Sequence, residues 1–430
     1  MTEAMLVSSI IFLITLAVIF TEKIQRSIVA IFGAVIMVGA GIVLGFYGEE
    51  EAIEAIDFHT LGLLLGMMTL VALLEPTGFF QYLATSAGRW SRGNPFTLLI
   101  LLGTVTTVLS LFLDNVTTVV LIAPVGILIS EILGINPIPL LMAMALLSDT
   151  GGAGTLIGDP PNILIGSAAG LSFNDFLANA LPIVIVTWLV VLGLLLYLFR
   201  KDLRENVIDA EAVDKLDPSL AFDDPVTARK VLIVLGATIL LFFLQDRLGL
   251  SSSFIALAAA AVALMWVRPD MHKLFERIEW SVIIFFMALF VAVGGLESAG
   301  VLDAIAKAIA GGADLHPILL GVIMIWVVAI LSAIVDNIPI TIALIPVILS
   351  LGSSGVNTTP LWWAIVFGAG FGGNGTIIGS TANIVVVSVS ERTRNPITAA
   401  TWSRRGLPVM VTACAVASVL FVLMYPLLSS

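Results

Sequence analysis

Charge, cysteine and histidine are all scarce in this chain of 430 residues. Only 11% of the residues are charged, roughly half the fraction that a soluble domain usually carries. The single cysteine, Cys414, excludes an intrachain disulfide and any site built from several thiolates. The histidines, His59, His272 and His316, have no second ligand at metal spacing. We therefore expect no metal site and no cofactor.

Long apolar runs take the place of charge. The chain is 59% hydrophobic with a mean hydropathy of +1.12, and runs such as 180–199, ALPIVIVTWLVVLGLLLYLF, do not alternate as the strands of a membrane barrel would. This composition predicts an all-α polytopic membrane protein. The net charge of −11 arises mainly from 48–57 and 202–224, which we interpret as solvated loops, so no nucleic-acid partner is expected. A nucleophile–base constellation is missing from the pattern, which argues against an enzyme.

The chain contains the same pattern twice. Residues 151–162 read GGAGTLIGDPPN and residues 372–383 read GGNGTIIGSTAN. Upstream, LDNVTTVVLIAPV at 113–125 is echoed by VDNIPITIALIPV at 335–347. Paired interruptions of apolar segments are typical of transporters built from two related halves, with the binding site where the interruptions meet.

The apolar segments divide into two equal sets around a polar stretch. We predict a first repeat at 1–199, a cytoplasmic linker at 200–228 and a second repeat at 229–430. If the fourth and fifth segments of each set form a re-entrant hairpin, ten helices cross the membrane and the repeats are inverted. With both termini outside, every Lys and Arg except Arg247 and Lys307 then lies in the cytoplasm. Charge alone also permits full crossings, so the hairpins depend on the chemistry of their tips.

The predicted hairpin tips each carry an Asp-Asn pair, Asp114-Asn115 and Asp336-Asn337. A carboxylate inside hydrocarbon is costly, so such a residue is expected to line a polar cavity or to exchange protons. The alternative is a helix cap, since Asp and Asn cap helix N-termini well. The two interpretations are compatible, because a cap at a hairpin tip still faces the site.

The glycine-rich loops are the second candidate element, because so many glycines, with Pro160-Pro161 in the first copy, interrupt a regular helix. Unwound backbone at membrane depth is tolerated where it lines a cavity or is buried in protein. The predicted ligands in and beside the loops and tips are Thr117, Thr118, Thr155, Gly158, Asp159, Asn162, Thr376, Gly379, Ser380, Thr381 and Asn383. Asp149 precedes the first loop, and its counterpart is Gly370. It is a candidate proton carrier or, alternatively, a buried cap.

At these residues the chain resembles the ion transporter superfamily, which includes arsenite permeases, NhaD-type sodium/proton antiporters, the melanosomal P protein and divalent-anion/sodium symporters. Residues 148–166, SDTGGAGTLIGDPPNILIG, are most similar to the arsenite-permease and P-protein branch. The resemblance implies ten spans, two re-entrant hairpins, two unwound helices and an elevator mechanism. It also implies a homodimer whose scaffold contains helices around 5–47, 229–267, 179–199 and 407–428. The anion symporters have Ser-Asn-Thr at the tips, where this chain has Asp114-Asn115-Val116 and Asp336-Asn337-Ile338.

Fixed carboxylates at both tips would repel a dicarboxylate, so we predict proton-coupled efflux of arsenite or antimonite across the cytoplasmic membrane. Amide and hydroxyl groups such as those of Asn115 and Asn337 would bind the neutral cargo, and Asp114, Asp336, Asp149 and Asp159 would carry protons. A sodium/proton antiporter using the same aspartates is the alternative, and a sodium-coupled anion symporter is a weaker one. A separate cytoplasmic ATPase subunit is a further possible partner.

Overall fold

The computed structural model describes residues 2–21, 23–204, 216–304, 316–353, 355–393 and 395–429. Throughout these ranges the regular structure is helical, and no β-strand occurs in them. Eight helices of the described residues are long and apolar enough to cross a membrane. Large apolar side chains on them face outward, such as Val43 at 83% exposure and Met265 at 76%. The prediction of an all-α polytopic membrane protein is confirmed, while the count of ten crossings stays a prediction.

The first half begins with two helices and ends with one long helix, and shorter or interrupted helices lie between. The helices are α1 (Glu3–Phe20), α2 (Arg26–Leu44), α3 (Glu49–Glu54), α4 (Phe58–Leu74), α5 (Phe79–Trp90), α6 (Pro95–Ser110), α7 (Asn115–Leu133), α8 (Ile138–Gly152), α9 (Pro160–Ala169) and α10 (Phe173–Leu198). The start of α10 contains one π-helical turn, Phe176–Ala180.

The second half repeats this order. Its helices are α11 (Pro225–Leu248), α12 (Ser252–Val267), α13 (Met271–Arg277), α14 (Trp280–Ser298), α15 (Pro317–Ile334), α16 (Asn337–Ser353), α17 (Thr359–Gly372), α18 (Thr381–Ser390), α19 (Ala399–Leu423) and α20 (Tyr425–Leu428). The structure therefore places a helix break at both predicted tips and at both glycine-rich stretches. We call 95–133 hairpin 1 and 317–353 hairpin 2, and we call 153–159 loop 1 and 373–380 loop 2.

Helices of the two halves exchange partners. α2 packs on α14 and α12 packs on α4, while α7 packs on α18 and α16 packs on α9. Because α2 corresponds to α12 in chain order, and α4 to α14, each contact occurs twice with the halves interchanged. This is the packing expected of two related repeats. The boundaries at 199 and 229 and the inverted orientation stay predictions.

The last helix of each half does not pack as predicted. We expected the segments at 179–199 and 407–428 to join a scaffold with the first two helices of each half. Instead, α10 and α19 pack mainly on each other, α10 also packs on α8 and meets α11 only with its first turn, and α19 packs on α15, α17 and loop 2. The prediction was wrong because apolar composition does not indicate which neighbour a helix will choose. α10 and α19 therefore belong with the helices that carry the interruptions.

Candidate functional site

Each loop is held in shape by an asparagine that follows it. The Asn162 side-chain amide donates to the carbonyl oxygens of Gly152 at 3.0 Å and Thr155 at 2.8 Å. In the second half, the Asn383 amide donates to the carbonyls of Gly373 at 2.8 Å and Thr376 at 3.0 Å. Unwound backbone leaves carbonyl oxygens without the N–H donors of a helix, and these side-chain amides donate to them instead. Asn162 and Asn383 were predicted as cargo ligands, but their amide donors are used within their own loops.

Hydroxyl groups tie each loop to the neighbouring hairpin tip. Thr155 Oγ1 donates to the Leu111 carbonyl, and Thr376 Oγ1 donates to the Ala333 carbonyl. The predicted ligands Thr155 and Thr376 are thus positioning residues. Just before each tip, a serine donates to the helix that precedes the loop, Ser110 Oγ to Ser148 O at 3.0 Å and Ser332 Oγ to Ala369 O at 2.9 Å, so the same bond occurs in both halves.

Gly158 and Gly379 allow the loops to approach the tips closely. A Cβ at Gly158 would lie 2.7 Å from the Ser110 carbonyl oxygen, and one at Gly379 would lie 3.0 Å from that of Ser332. The added Cβ atoms would also lie 2.5 Å from the Gly152 carbonyl oxygen and 2.6 Å from that of Gly373. Any larger residue would push loop and tip apart. Gly158 and Gly379 were predicted as cargo ligands. In the structure they shape the site by allowing the backbone of loop and tip to pack closely.

A small cavity of about 50 Å³ lies where the tips and loops meet. Its lining includes many residues that the sequence singled out, together with others that it did not. Those predicted are Asp114, Asn115, Asp159, Asp336, Asn337, Ser380 and Thr381. Those not predicted include Arg26, Met68 and Glu279. The paired interruptions therefore converge on one place, to which both halves contribute.

Hydrogen bonds cross between the halves at this cavity. Asn337 Nδ2 donates to Asp159 Oδ2 at 3.0 Å, and Ser380 Oγ donates to Asp149 Oδ1 at 3.0 Å. Asp149 and Asp159 are 2% and 3% exposed. Asp149 is outside the lining itself, directly behind Ser380. The first half thus supplies buried carboxylates to which the second half supplies donors.

The cavity is rich in acidic groups. Asp114, Asp159, Asp336 and Glu279 line it, and Arg26 is the cationic side chain among the described lining residues. The Arg26 guanidinium lies 2.5 Å from Asp336 Oδ2. Like charges close together in a poorly hydrated site repel, which favours uptake of protons or of another cation. Among the described residues, no three His, Cys, Asp or Glu side chains are arranged as a metal-binding group.

Two predicted threonines lie away from the small cavity. The backbone N–H of Thr117 donates to Asp114 Oδ1 at 2.8 Å, so Asp114 caps α7 as well as lining the cavity. The Thr117 side chain lines a neighbouring cavity of about 260 Å³ with Glu75, Glu276 and Arg277. Thr118 is fully buried, away from both cavities, and its hydroxyl has no hydrogen-bond partner. The cap and site interpretations of Asp114 therefore both hold geometrically.

Arg26 and Glu279 were not predicted as site residues, because their positions in the sequence are those of charged residues at the ends of membrane spans. Arg26 is the first residue of α2 and Glu279 immediately precedes α14, positions at which charged residues commonly mark the end of a membrane span. Their distance along the chain from the tips conceals their proximity in space. The sequence signal that could have indicated Arg26 is its place as a second cation, three residues beyond Lys23 and directly at the start of an apolar run.

Known proteins resemble this chain along nearly its full length. A family model described as citrate transporter, CitMHS, matches residues 16–368. A 46 kDa membrane protein of Mycobacterium leprae is 36% identical over 97% of this chain and 98% of that protein. The P protein of Homo sapiens is 31% identical over 93% of this chain, which spans 57% of the P protein. The crystal structure of the Alcanivorax borkumensis YdaH transporter matches with a TM-score of 0.66 and 17% identity, covering 95% of this chain and 100% of that one.

The fold and the interrupted, polar centre define a multi-pass secondary transporter rather than an enzyme. The chain belongs to the citrate transporter (CitMHS) family, within the ion transporter superfamily that the duplicated motif predicted. At 17% identity the YdaH likeness concerns the fold alone.

Proposed function

We propose that the protein exports arsenite or antimonite in exchange for protons, by an elevator movement of the hairpins and loops. The observation that supports this most is the convergence of Asp114, Asp159, Asp336 and Glu279 on one small cavity. Carboxylates in such a place can take up and release protons as the cavity is exposed to either side of the membrane. The same residues also provide acceptors for the hydroxyl groups of a cargo.

The size and charge of the cavity favour a small neutral cargo. Its volume of about 50 Å³ is several times the roughly 10–15 Å³ that a cavity needs to hold one water, so it admits a cargo of only a few heavy atoms. Arsenite in its neutral form, As(OH)₃, carries three hydroxyls that can donate to carboxylates and accept from amides and hydroxyls. Asn115, Asn337, Ser380 and Thr381 supply the amides and hydroxyls. A multiply charged anion such as citrate would meet several fixed negative charges.

Two larger cavities lie near the central site. The cavity of about 260 Å³ shares Met68, Asp114 and Glu279 with the small one. A further cavity of about 310 Å³ is lined by His59 and Asp246 and reaches Leu156 in loop 1. By the predicted topology the first opens to the cytoplasm and the second to the outside. An elevator movement would expose the central site to each in turn.

The experiment uses purified protein in proteoliposomes that contain a pH-sensitive dye. Arsenite, sodium chloride and citrate are added in separate runs to wild type and to Asp114→Asn. The proposal expects arsenite to drive proton movement in wild type, with at least a tenfold loss in the variant. Proton movement with citrate, and none with arsenite, would refute the cargo.

Sodium/proton antiport is the second candidate. The observation that favours it is the mixture of carboxylate and amide oxygens around the cavity, which suits hard cations. In the same proteoliposomes, sodium-driven proton release without any response to arsenite would establish this candidate in place of the first.

Location and partners are part of the proposal. We place the protein in the cytoplasmic membrane with both termini outside, as a homodimer, and a cytoplasmic ATPase subunit is a possible partner. Arg200, Arg229 and Lys230 lie in or beside the predicted cytoplasmic linker. Lys215, Lys307 and Arg394, which the charge argument also used, lie outside the described residues.

A further inference from the structure

The Arg26 side chain is held at the central cavity by several contacts. Its Nη1 lies 2.5 Å from Asp336 Oδ2 and 3.2 Å from Thr381 Oγ1. The Thr381 hydroxyl also donates to Asp336 Oδ2 at 3.0 Å, and the guanidinium lies 5.4 Å from the centre of the Phe285 ring. The side chains of Arg26 and Asp336 are 28% and 18% exposed. This pair is thus more enclosed than the surface ion pairs that contribute little.

The two partners belong to different groups of helices. Arg26 begins α2, which packs on α1 and α14. Asp336 lies at the tip of hairpin 2, and Thr381 begins α18, which packs on α7 and α8. We call α1, α2, α4, α11, α12 and α14 the frame, and we call the hairpins, the loops and α8, α9, α10, α17, α18 and α19 the core. The ion pair joins the frame to the core.

Several other charges face Asp336. Asp114 on α7, Asp159 in loop 1 and Glu279 before α14 line the same cavity, and Asp149 lies behind Ser380. Arg26 is the cationic side chain in the described lining. A guanidinium keeps its charge at all physiological pH values. The pair therefore separates when Asp336 gains a proton, another cation or a cargo in place of Arg26.

We propose that Arg26 is a coupling residue that holds the core against the frame while the site is unloaded. It acts as a tethered cation on Asp336, and loading of the site releases it so that the core can move. This inference rests on the proposed proton-coupled function for its transport readout. Without the tether, the unloaded core would move freely, and protons would cross without cargo.

The transport test compares Arg26→Gln, Arg26→Lys and the control Lys23→Gln in dye-loaded proteoliposomes. Lys23 is an exposed cation in the same α1–α2 connection and does not line the cavity. We expect Arg26→Gln to raise the cargo-free proton leak at least tenfold and to lower the arsenite moved per proton. Arg26→Lys should fall between Arg26→Gln and wild type, and Lys23→Gln should match wild type. A leak and ratio in Arg26→Gln equal to those of wild type would overturn the proposal.

A second readout needs no cargo. Asn174 at the start of α10 and Asp246 near the end of α11 are hydrogen-bonded at 2.6 Å, and Asp246 lines the cavity of about 310 Å³ and not the central cavity that contains Arg26. Cysteines at both positions, joined by a short bifunctional thiol reagent, report how often the present arrangement is occupied. Cys414 is fully buried and serves as the internal background thiol.

In this double-cysteine background, Arg26→Gln should lower the cross-linked fraction at least threefold, and Lys23→Gln should leave it unchanged. An unchanged fraction in Arg26→Gln would contradict the tether. If cross-linking falls but wild type moves neither arsenite nor protons, the tether stands and the proposed function fails. If wild type moves arsenite and protons but Arg26→Gln changes neither the leak nor the cross-linked fraction, the proposed function stands and the tether fails.

Discussion

Loop 1 and loop 2 share a framework and differ in the charges they present. Both are held by an asparagine and a threonine at matching positions, Asn162 and Thr155 in one, Asn383 and Thr376 in the other. At the position that faces the partner half, loop 1 has Asp159 and loop 2 has Ser380.

The difference indicates a division of labour between otherwise similar halves. The duplicated hydrogen bonds build the same geometry twice, because unwound backbone needs the same partners wherever it occurs. The unmatched residues Asp149 and Asp159 place additional carboxylates in the first half, where Ser380 and Asn337 donate to them. We infer that the first loop contributes more of the proton coupling and the second more of the hydrogen bonding to cargo.

Exchanging the unmatched residues should have the largest effect. Asp159→Ser removes a buried carboxylate and the acceptor of Asn337, so proton-driven arsenite transport should fall roughly 100-fold, within the range expected when a proton-transfer group is lost. The double variant Asp159→Ser with Ser380→Asp should recover part of the activity, because it returns a carboxylate to the cavity from the opposite loop. Initial rates in proteoliposomes measure both. Normal rates in the single variant would contradict the division of labour.

Breaking the shared framework should affect both halves alike. Asn162→Ala and Asn383→Ala each leave two buried carbonyls without their partner, which should cost about 2–3 kcal/mol of stability. Thermal unfolding in detergent checks this, with the exposed Asn357→Ala as the matched control, since the Asn357 side chain also makes two hydrogen bonds, to the Ser429 carbonyl and from the Thr359 N–H, but makes them at the surface. A loss in one half alone would show that the two loops are not held by equivalent bonds.

Asp149→Asn removes a buried carboxylate charge and leaves the size and shape of the side chain almost unchanged. Asp149→Asn keeps an acceptor for Ser380 and removes the proton-carrying group, so proton-driven transport should fall about tenfold while thermal stability is retained. Its counterpart Gly370 cannot take over, because a Cβ there would lie 2.8 Å from that of Ala153. Unchanged transport in Asp149→Asn would favour the interpretation of Asp149 as a buried structural group.

The glutamates that end α4 and α14 should have the smallest effect. Glu75 lies 3.4 Å from Arg277, with both side chains more than a third exposed. Glu297, which is separated from Glu75 by the same distance along the sequence as Asp336 from Asp114, is exposed. Exposed pairs contribute little, so Glu75→Gln and Glu297→Gln should each change transport less than about twofold. A larger loss in Glu75→Gln alone would show that the cavity of about 260 Å³, which Glu75 lines, takes part directly in transport.

The helix breaks of the site could be predicted because their causes are local. Glycine and proline interrupt helices wherever they occur, and an Asp-Asn pair inside an apolar run indicates a tip. The structure has breaks at both predicted tips and both predicted loops. The duplication also predicted that the interruptions would meet, and Asp114, Asp159, Asp336 and their neighbours do line one cavity.

The sequence could not indicate which polar side chains turn back to their own loop, or which residues far apart in the chain are in contact. Asn162 and Asn383 matched the pattern of ligands, but their amides turn back to their own loops. Arg26 meets Asp336 across more than half the chain, a contact that depends on how α2 packs beside hairpin 2. The position of α10 and α19 beside the core follows from the same long-range packing, for which apolar composition gives no indication.

The role of the Asp159 carboxylate in coupling can be measured as proton movement during arsenite transport. Wild type and Asp159→Asn are compared in the same dye-loaded proteoliposomes, once with an arsenite gradient and once in arsenite exchange without a gradient. We expect the variant to lose arsenite-driven proton movement and to retain exchange of arsenite, because an asparagine side chain at this position keeps an acceptor for cargo but cannot take up and release a proton. Equal proton movement in both proteins would contradict the claim that the carboxylates of this cavity couple protons to transport.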